Sequence, residues 1–228
     1  MLNDVNEYLE REQITYEDWE LLLTAGWDRV GQSFFHRRYD RYRILEDWMG
    51  VMEIMPLRYR LEDFTFSKSQ RIINKRNEDL TKIYRPLELD EEKMNLFDAW
   101  YENRFKKFGN IFNWITTLEK PFNMYEISFY KDSKLIACSF FDVTPNYQYS
   151  TLGMYHPDEA KRSLGTYTMM SEIIQGIISG KTHHYPGHSY HGKSMYEYKK
   201  QFYNMEHFDW EARTWADLPR NYPVNLIL

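Results

Sequence analysis

Apolar and polar positions follow a helical period in the first half of the chain and a strand period in much of the second. In residues 15–25, Trp19, Leu22 and Leu23 fall on one stripe. Thr15 stands where an N-cap belongs, Asp18 holds the capping-box position and Gly26 ends the run. A weak alternation over 59–64 predicts a strand. Ser67 or Ser69 then caps a second helix running through Asp79, with Ile72, Ile73, Arg76 and Leu80 at helical spacing. Asp90 caps a third over 91–105, which carries Met94, Phe97 and Tyr101 on one side.

From residue 125 the texture changes. Segments 125–130, 135–143 and 148–155 read as three antiparallel strands, with turns at Asp132-Ser133-Lys134 and Thr144-Pro145-Asn146. A helix over 164–179 follows, closed by Gly180, then a strand over 183–190 and a short helix over 194–202. This order predicts an α+β fold, a mainly antiparallel sheet flanked by helices, with a small N-terminal region. The expected boundary separates residues 1–66 from a domain over 67–228, unless the two pack as one unit. The element order resembles the GNAT type of acyltransferase, in which the cofactor's pyrophosphate sits on the turn that opens the central helix.

That turn, Arg162-Ser163-Leu164-Gly165-Thr166-Tyr167, carries the most chemistry. A glycine turn opening a helix leaves backbone N–H groups unpaired, and the helix dipole adds positive potential there. Such a place receives phosphate or a polarised oxygen. Arg162 adds a charge that a purely structural turn does not need.

Composition narrows the classes. The 228 residues suffice for one large domain or two small ones with a sizeable core. Aromatics make up 18% of the chain, enough for a packed core plus surfaces that stack on a planar or aminoacyl ligand; Tyr as core filler is the plainer account. A single cysteine, Cys138, excludes an internal disulfide and a cysteine-cluster metal site. Lying in the apolar run 135–141, it reads as a buried, inert thiol and fits a reducing, cytoplasmic setting. The first 14 residues are polar and acidic, unlike a signal peptide, and no apolar run nears the roughly 20 residues of a membrane span.

The net charge of −5 argues against a general nucleic-acid binder. Yet six basic residues lie between Lys68 and Arg85, against Glu78 and Asp79 alone, and Arg37, Arg38, Arg41 and Arg43 form a second stretch around Asp40. Two local patches suit a localised anionic ligand better than a long duplex. A solvated face explains the Arg37 stretch better than the Lys68 one.

A family resemblance rests on short motifs in a fixed order. They are Leu21-Leu22-Leu23-Thr24-Ala25-Gly26-Trp27, Pro56-Leu57-Arg58, Phe66-Ser67-Lys68-Ser69-Gln70-Arg71 and Lys75-Arg76-Asn77-Glu78-Asp79-Leu80. Farther on come 135–142, Met154-Tyr155-His156-Pro157, the turn at 162–167, Tyr185-Pro186-Gly187, Tyr198-Lys199 and Gln201-Phe202. Over residues 15–215 the chain resembles the arginyl-tRNA–protein transferases. The resemblance implies a GNAT-like enzyme that uses a charged tRNA instead of acetyl-CoA, with no cofactor beyond that co-substrate. It implies transfer of arginine, or of leucine in a bacterial branch, to the N-terminal amine of proteins beginning with Asp or Glu, which marks them for N-degron degradation.

The implied reaction is aminolysis of an ester. It needs alignment, a proton acceptor for the amine and donors for the developing oxyanion, but no covalent nucleophile. Arg162, Ser163, Leu164, Gly165 and Thr166 are expected at the acceptor-end phosphate and ribose. Lys68, Ser69, Gln70, Arg71, Arg76 and Asn77 are expected at the tRNA backbone or the acidic acceptor side chain. Tyr167, Tyr198 and Lys199 are expected to shape the aminoacyl pocket, and Asp142 to hold the α-ammonium or take its proton, with Tyr167 as its catalytic companion. The plain alternative for Asp142 is a turn residue ahead of Pro145.

The chain departs from the family pattern in three places. The family carries a cysteine cluster between its Gly-Trp and Pro-Leu-Arg elements, and residues 28–55 hold none. Lys193-Ser194-Met195-Tyr196 replaces Cys-Pro-Lys-Met, and His188-Ser189-Tyr190 stands where members tend to have paired tyrosines. His183, His184, His188 and His191 fall close together; without carboxylates or cysteines beside them they suit pocket-lining imidazoles, one able to act as a base, better than a metal centre. Two other readings stand beside the transferase: an acyl-CoA N-acyltransferase, which Tyr167 is expected to disfavour by crowding a second phosphate, and an inactive binder of acidic N-termini.

Overall fold

The computed structural model describes residues 5–10, 14–45, 48–115, 124–219 and 222. Part of the polar N-terminal stretch (1–4 and 11–13) lies outside them, as does the side chain of Arg43. Near the N-terminus, β1 (Asn6–Glu10), β2 (Asp28–Val30) and β3 (Ser33–Arg37) form a small antiparallel sheet in the order β1-β3-β2, with α1 (Tyr16–Thr24) inserted after β1. Thr15 caps α1 as its sequence position suggests, its hydroxyl accepting from the Asp18 N–H at 3.1 Å. Gly26 then turns the chain with φ +83°, and a Cβ there would sit 2.7 Å from the Phe208 ring. Only glycine fits both demands.

The main sheet is built on β5 (Trp48–Arg60), the longest strand. Its first part forms a hairpin with β4 (Tyr39–Leu45), and its last part lies between two later strands. The chain continues through α2 (Lys68–Arg76), β6 (Thr81–Pro86), α3 (Glu91–Phe105), β7 (Met124–Lys131), β8 (Lys134–Val143), β9 (Tyr147–Tyr155), α4 (Leu164–Ile178), β10 (His183–Tyr185), β11 (His188–Tyr190), β12 (Met205–Asp209) and β13 (Thr214–Asp217). The sheet order is β13-β12-β5-β10-β9-β8-β7-β6, with β4 and β11 also pairing with β5. Only β9–β10 is parallel. The mixed α+β class holds, but the division at residue 66 does not follow the sheet, because β5 sits inside it. The strand expected at 59–64 is the tail of β5 and stops at Arg60.

Helices cover both faces. Cys138 and Phe140 of β8 pack with Leu96, Phe97 and Trp100 of α3 and with Trp19 and Leu23 of α1. Ala137 and Phe141 pack with Leu164 and Tyr167 of α4. This two-sided burial explains why β8 reads as a continuous apolar run. It also pushes the Cys138 thiol up to about 12, which makes it inert. The helix caps are those the sequence suggests: Ser67 and Gln70 form a reciprocal capping box on α2, and Asp90 accepts from the Lys93 N–H at 2.9 Å on α3.

One irregularity positions everything that follows. Parallel pairing of β9 with β10 covers only Tyr147, Gln148 and Tyr149, opposite His183, His184 and Tyr185. Pro186, which has no N–H, and Gly187, at φ +76°, then break the strand expected over 183–190. The chain leaves β9 and resumes as β11 on β5. Along 150–155, β9 has no partner strand on that edge among the described residues, and α4, crossing from β9 to β10, begins beside the gap.

Candidate active site

The parted sheet encloses a cavity of about 430 Å³. Its walls are the unpaired half of β9, the first turns of α4 and the segment 186–199, with Trp100, Arg104 and Phe105 of α3 closing one side. Ser163 starts α4 in the left-handed region (φ +58°, ψ +42°), and no side chain caps the helix. The N–H groups of Thr166 and Tyr167 are satisfied by the Ser163 carbonyl. Those of Leu164 and Gly165 have no such partner among the described residues and belong to residues that line the cavity. The turn therefore presents donors and dipole where a phosphate or carbonyl oxygen can bind.

The turn at Gly26 carries β2 into the opposite wall. Arg29 lies beneath it, its guanidinium on the Asp142 carboxylate (Nε–Oδ2 2.8 Å, Nη2–Oδ1 2.5 Å) and on the Gly31 carbonyl at 2.5 Å. Asp28 accepts hydrogen bonds from its neighbour's N–H at 2.9 Å, from the Tyr149 hydroxyl and from His188 Nδ1. Burial works against the Asp28 charge, but His188, the Tyr149 hydroxyl and the nearby Lys199 together hold its carboxyl below the usual range. The His188 ring is clamped edge-on between Phe35, Tyr190 and Tyr196.

Lys199 locks this corner. Its ammonium donates to the carbonyls of Pro186 at 2.7 Å and His188 at 3.1 Å, and lies over the Tyr196 ring. Burial brings it down to about 8 even though Asp28 favours its charge. Deeper in, Glu172 of α4 accepts from the Ser139 hydroxyl and has His184 Nε2 at 3.4 Å from its other oxygen. Burial raises Glu172 well above the usual carboxylate range and takes His184 down to about 3, so burial favours the neutral form of each.

Of the residues expected from sequence, Ser163, Leu164, Gly165, Thr166, Tyr198 and Lys199 do line the cavity. Asp142 does not: its carboxylate is consumed by Arg29 in the interior, which removes it as a proton acceptor. Tyr167 points into the core and donates to the Asn77 carbonyl at 3.1 Å, so it neither shapes the pocket nor crowds a phosphate. Arg162 turns outward, bidentate on Asp79 (2.8 and 2.9 Å) and bonded to Glu159 at 2.8 Å. Gln70 is spent on its cap and on the Gln201 carbonyl, and Asn77 on the carbonyls of Ile73 and Arg162. Arg76 braces the turn, reaching the Lys161 carbonyl at 2.8 Å. Lys68, Ser69 and Arg71 are exposed on α2, outside the cavity.

In the basic stretch near Arg37, Arg37 pairs with Asp40, and Arg38 with Glu53 and Glu211, while Arg41 is exposed. The clustered histidines diverge, His183 to Glu206, His184 to Glu172, His188 to Asp28 and His191 to the Tyr222 hydroxyl. Sequence reasoning missed Asp28, Arg29, Arg104, Tyr149 and Glu172. Glu172 had a signal, as the lone acid in the apolar run 164–178; Asp28 and Arg29 directly follow the Gly26-Trp27 motif.

Residues 90–209 match the model of a protein family described as arginine-tRNA-protein transferase, C terminus. That span takes in α3, β9, α4 and the 186–199 wall. The protein is thus a transferase of mixed α+β fold. More particularly, the chain belongs to the arginine-tRNA-protein transferase family. It is similar to the aspartate/glutamate leucyltransferase of Campylobacter jejuni subsp. jejuni serotype O:23/36 (27% identical over 180 residues, 73% of this chain and 70% of the relative). It is also similar to the enzyme of that name from Helicobacter hepaticus (23% over 208 residues, 87% and 82%). Its structural neighbours include a GCN5-related N-acetyltransferase from Kribbella flavida (TM-score 0.38, 10% identity, 59% of this chain and 48% of that one).

Proposed function

We propose that this protein transfers leucine, or arginine, from charged tRNA to the α-amine of proteins that begin with Asp or Glu, and so marks them for N-degron degradation. The observation that carries the reading is that the family match covers the cavity-lining parts of α3, β9, α4 and the 186–199 segment. Leucine is favoured over arginine, because Trp100, Phe105 and Met169 line the cavity and Arg104 would repel a second guanidinium.

The aminoacyl ester enters beside α4, where the N–H groups of Leu164 and Gly165 can receive an oxygen that gains charge in the transition state. Arg104 has no carboxylate partner among the described residues; it lies over the Trp100 and Phe105 rings and suits the acidic side chain of the acceptor. The exposed basic face of α2, Lys68, Arg71 and Lys75, suits the tRNA backbone, with the Arg76-braced turn leading inward. The chemistry asks for no cofactor besides charged tRNA, and use of that co-substrate fits a cytoplasmic setting. No helix among the described residues is long and apolar enough to cross a membrane.

The test is transfer of labelled leucine or arginine from charged tRNA to peptides that differ only in the first residue. Transfer confined to Asp- and Glu-initiated peptides is expected. Binding of those peptides without transfer from any charged tRNA would mean a silent binder, and transfer from acyl-CoA instead would mean an N-acyltransferase.

A further inference from the structure

We propose that His188 is the general base that removes the proton from the acceptor's α-ammonium, with Asp28 as the residue that positions it. The proposal rests on the transferase reading above. It assigns to the Asp28–His188 pair the role that Asp142 and Tyr167, both engaged in the interior, do not fill.

Three observations carry it. First, His188 lines the cavity, and its side chain keeps 19% exposure while Asp28, Tyr149 and Tyr190 around it are buried. Second, its Nδ1 is committed to Asp28, a carboxylate only 5% exposed that also takes the Tyr149 hydroxyl and a backbone N–H. An acceptor on Nδ1 keeps the proton there and leaves the Nε2 lone pair as the free basic site. The hydrogen bonds described for His188 place no protein donor on Nε2. Third, the ring cannot swing away: Phe35, Tyr190 and Tyr196 hold it edge-on, and Lys199 grips its carbonyl. A carboxylate that fixes an imidazole from behind while its other nitrogen faces a substrate cleft is the arrangement of a general base. A histidine kept only for packing would not need a buried carboxylate behind it.

The proton and electron count closes. Nε2 takes one proton from the α-ammonium, and the freed nitrogen lone pair forms the N–C bond to the ester carbonyl carbon. The carbonyl oxygen takes the negative charge beside the N–H groups of Leu164 and Gly165. When the intermediate collapses, the C–O bond to the ribose breaks and the ribose oxygen takes the proton held by the imidazolium. The new amide nitrogen then gives its second proton to Nε2, which releases it to water.

The experiment compares two acceptors with wild type, His188→Gln and Asp28→Asn, using leucyl-tRNA and saturating acceptor. One is an Asp-initiated peptide; the other is the same peptide with an aminooxy group in place of the α-amine, neutral at pH 7 and so able to attack without first losing a proton. His188→Gln is expected to lower kcat at least about 100-fold with the ordinary peptide and less than tenfold with the aminooxy peptide. Asp28→Asn is expected to follow the same split more weakly, with KM for tRNA unchanged. Enzyme-dependent aminooxy transfer also shows that each variant is folded. Equal loss with both acceptors, or retention of both, overturns the base assignment and leaves the transferase reading standing. A wild type inactive with both acceptors overturns the reading beneath it.

Discussion

Arg29 and Asp142 meet as a two-pronged ion pair sealed from solvent, at 2% and 1% exposure. The pair fastens β2 to β8 directly beneath the cleft. Removing one member strands the other charge in the interior, whereas replacing both with apolar residues does not. Asp142→Ala is therefore expected to cost about 3–5 kcal/mol in urea denaturation, and Arg29→Met with Asp142→Leu to recover most of that. If Asp142→Ala kept full stability and lost only turnover, Asp142 would be a reacting group after all.

Arg104 sets the charge of the cleft mouth. Arg104→Glu is expected to raise KM for an Asp-initiated peptide by about 10- to 100-fold, the worth of a charge-assisted pair. KM for charged tRNA should stay within a few-fold, and Lys-initiated peptides should improve. Unchanged acceptor preference would place the reader of the acidic side chain elsewhere.

Exposed and paired cations should behave differently toward tRNA. Lys68→Ala or Lys75→Ala is expected to reduce the slope of log affinity against log salt by about 0.7–0.9 each, one phosphate contact apiece. Arg162→Ala should leave that slope unchanged, because its guanidinium is already occupied by Asp79 and Glu159. Filter binding over a salt series checks both, and an equal loss in all three would assign Arg162 to the RNA.

Glu172 gives the protein a pH-dependent weakness. Its carboxyl stays protonated in the folded state well above its ordinary range, while the unfolded chain has already lost that proton. The folded state thus binds more protons, so this residue's contribution to stability falls as pH rises above the unfolded value, by up to about 1.4 kcal/mol per unit. His184 works in the opposite sense between about 3 and its ordinary 6.5, where the unfolded state holds the extra proton. Of these two residues, only Glu172 contributes a slope above that window. Glu172→Gln should therefore be more stable than wild type at pH 8, and the gap should shrink at pH 5. Denaturation at the two pH values decides it; a variant less stable at pH 8 would mean a charged Glu172.

Local chemistry made the helices legible. Thr15, Ser67 and Asp90 cap α1, α2 and α3, each signalled by one polar residue before an apolar stripe. β7, β8 and β9 were equally readable, because alternation or continuous apolarity marks a strand. β5 was not, since its Met, Arg and Tyr positions show no clean alternation and its partners come from four other segments. The cleft was half legible. The turn at Ser163–Gly165 announces itself through its glycine, but Asp28 and His188 lie 160 residues apart and meet only because β5 draws β11 away from β9. Asp142 was misplaced for a related reason: nothing in its neighbourhood reveals a buried arginine 113 positions earlier.

The break at Pro186-Gly187 has an evolutionary consequence. One cavity wall is a loop hung from the sheet by the Gly187 carbonyl on Leu57 and the grip of Lys199, while the other is helix and strand. Between β11, which pairs with β5, and Lys199, residues 192–198 belong to no ladder, so a lineage can alter its cargo by rewriting about half a dozen positions there, within the length ordinary loops tolerate. Lys193-Ser194-Met195-Tyr196, lying between the anchors, is where such a rewrite would leave its trace.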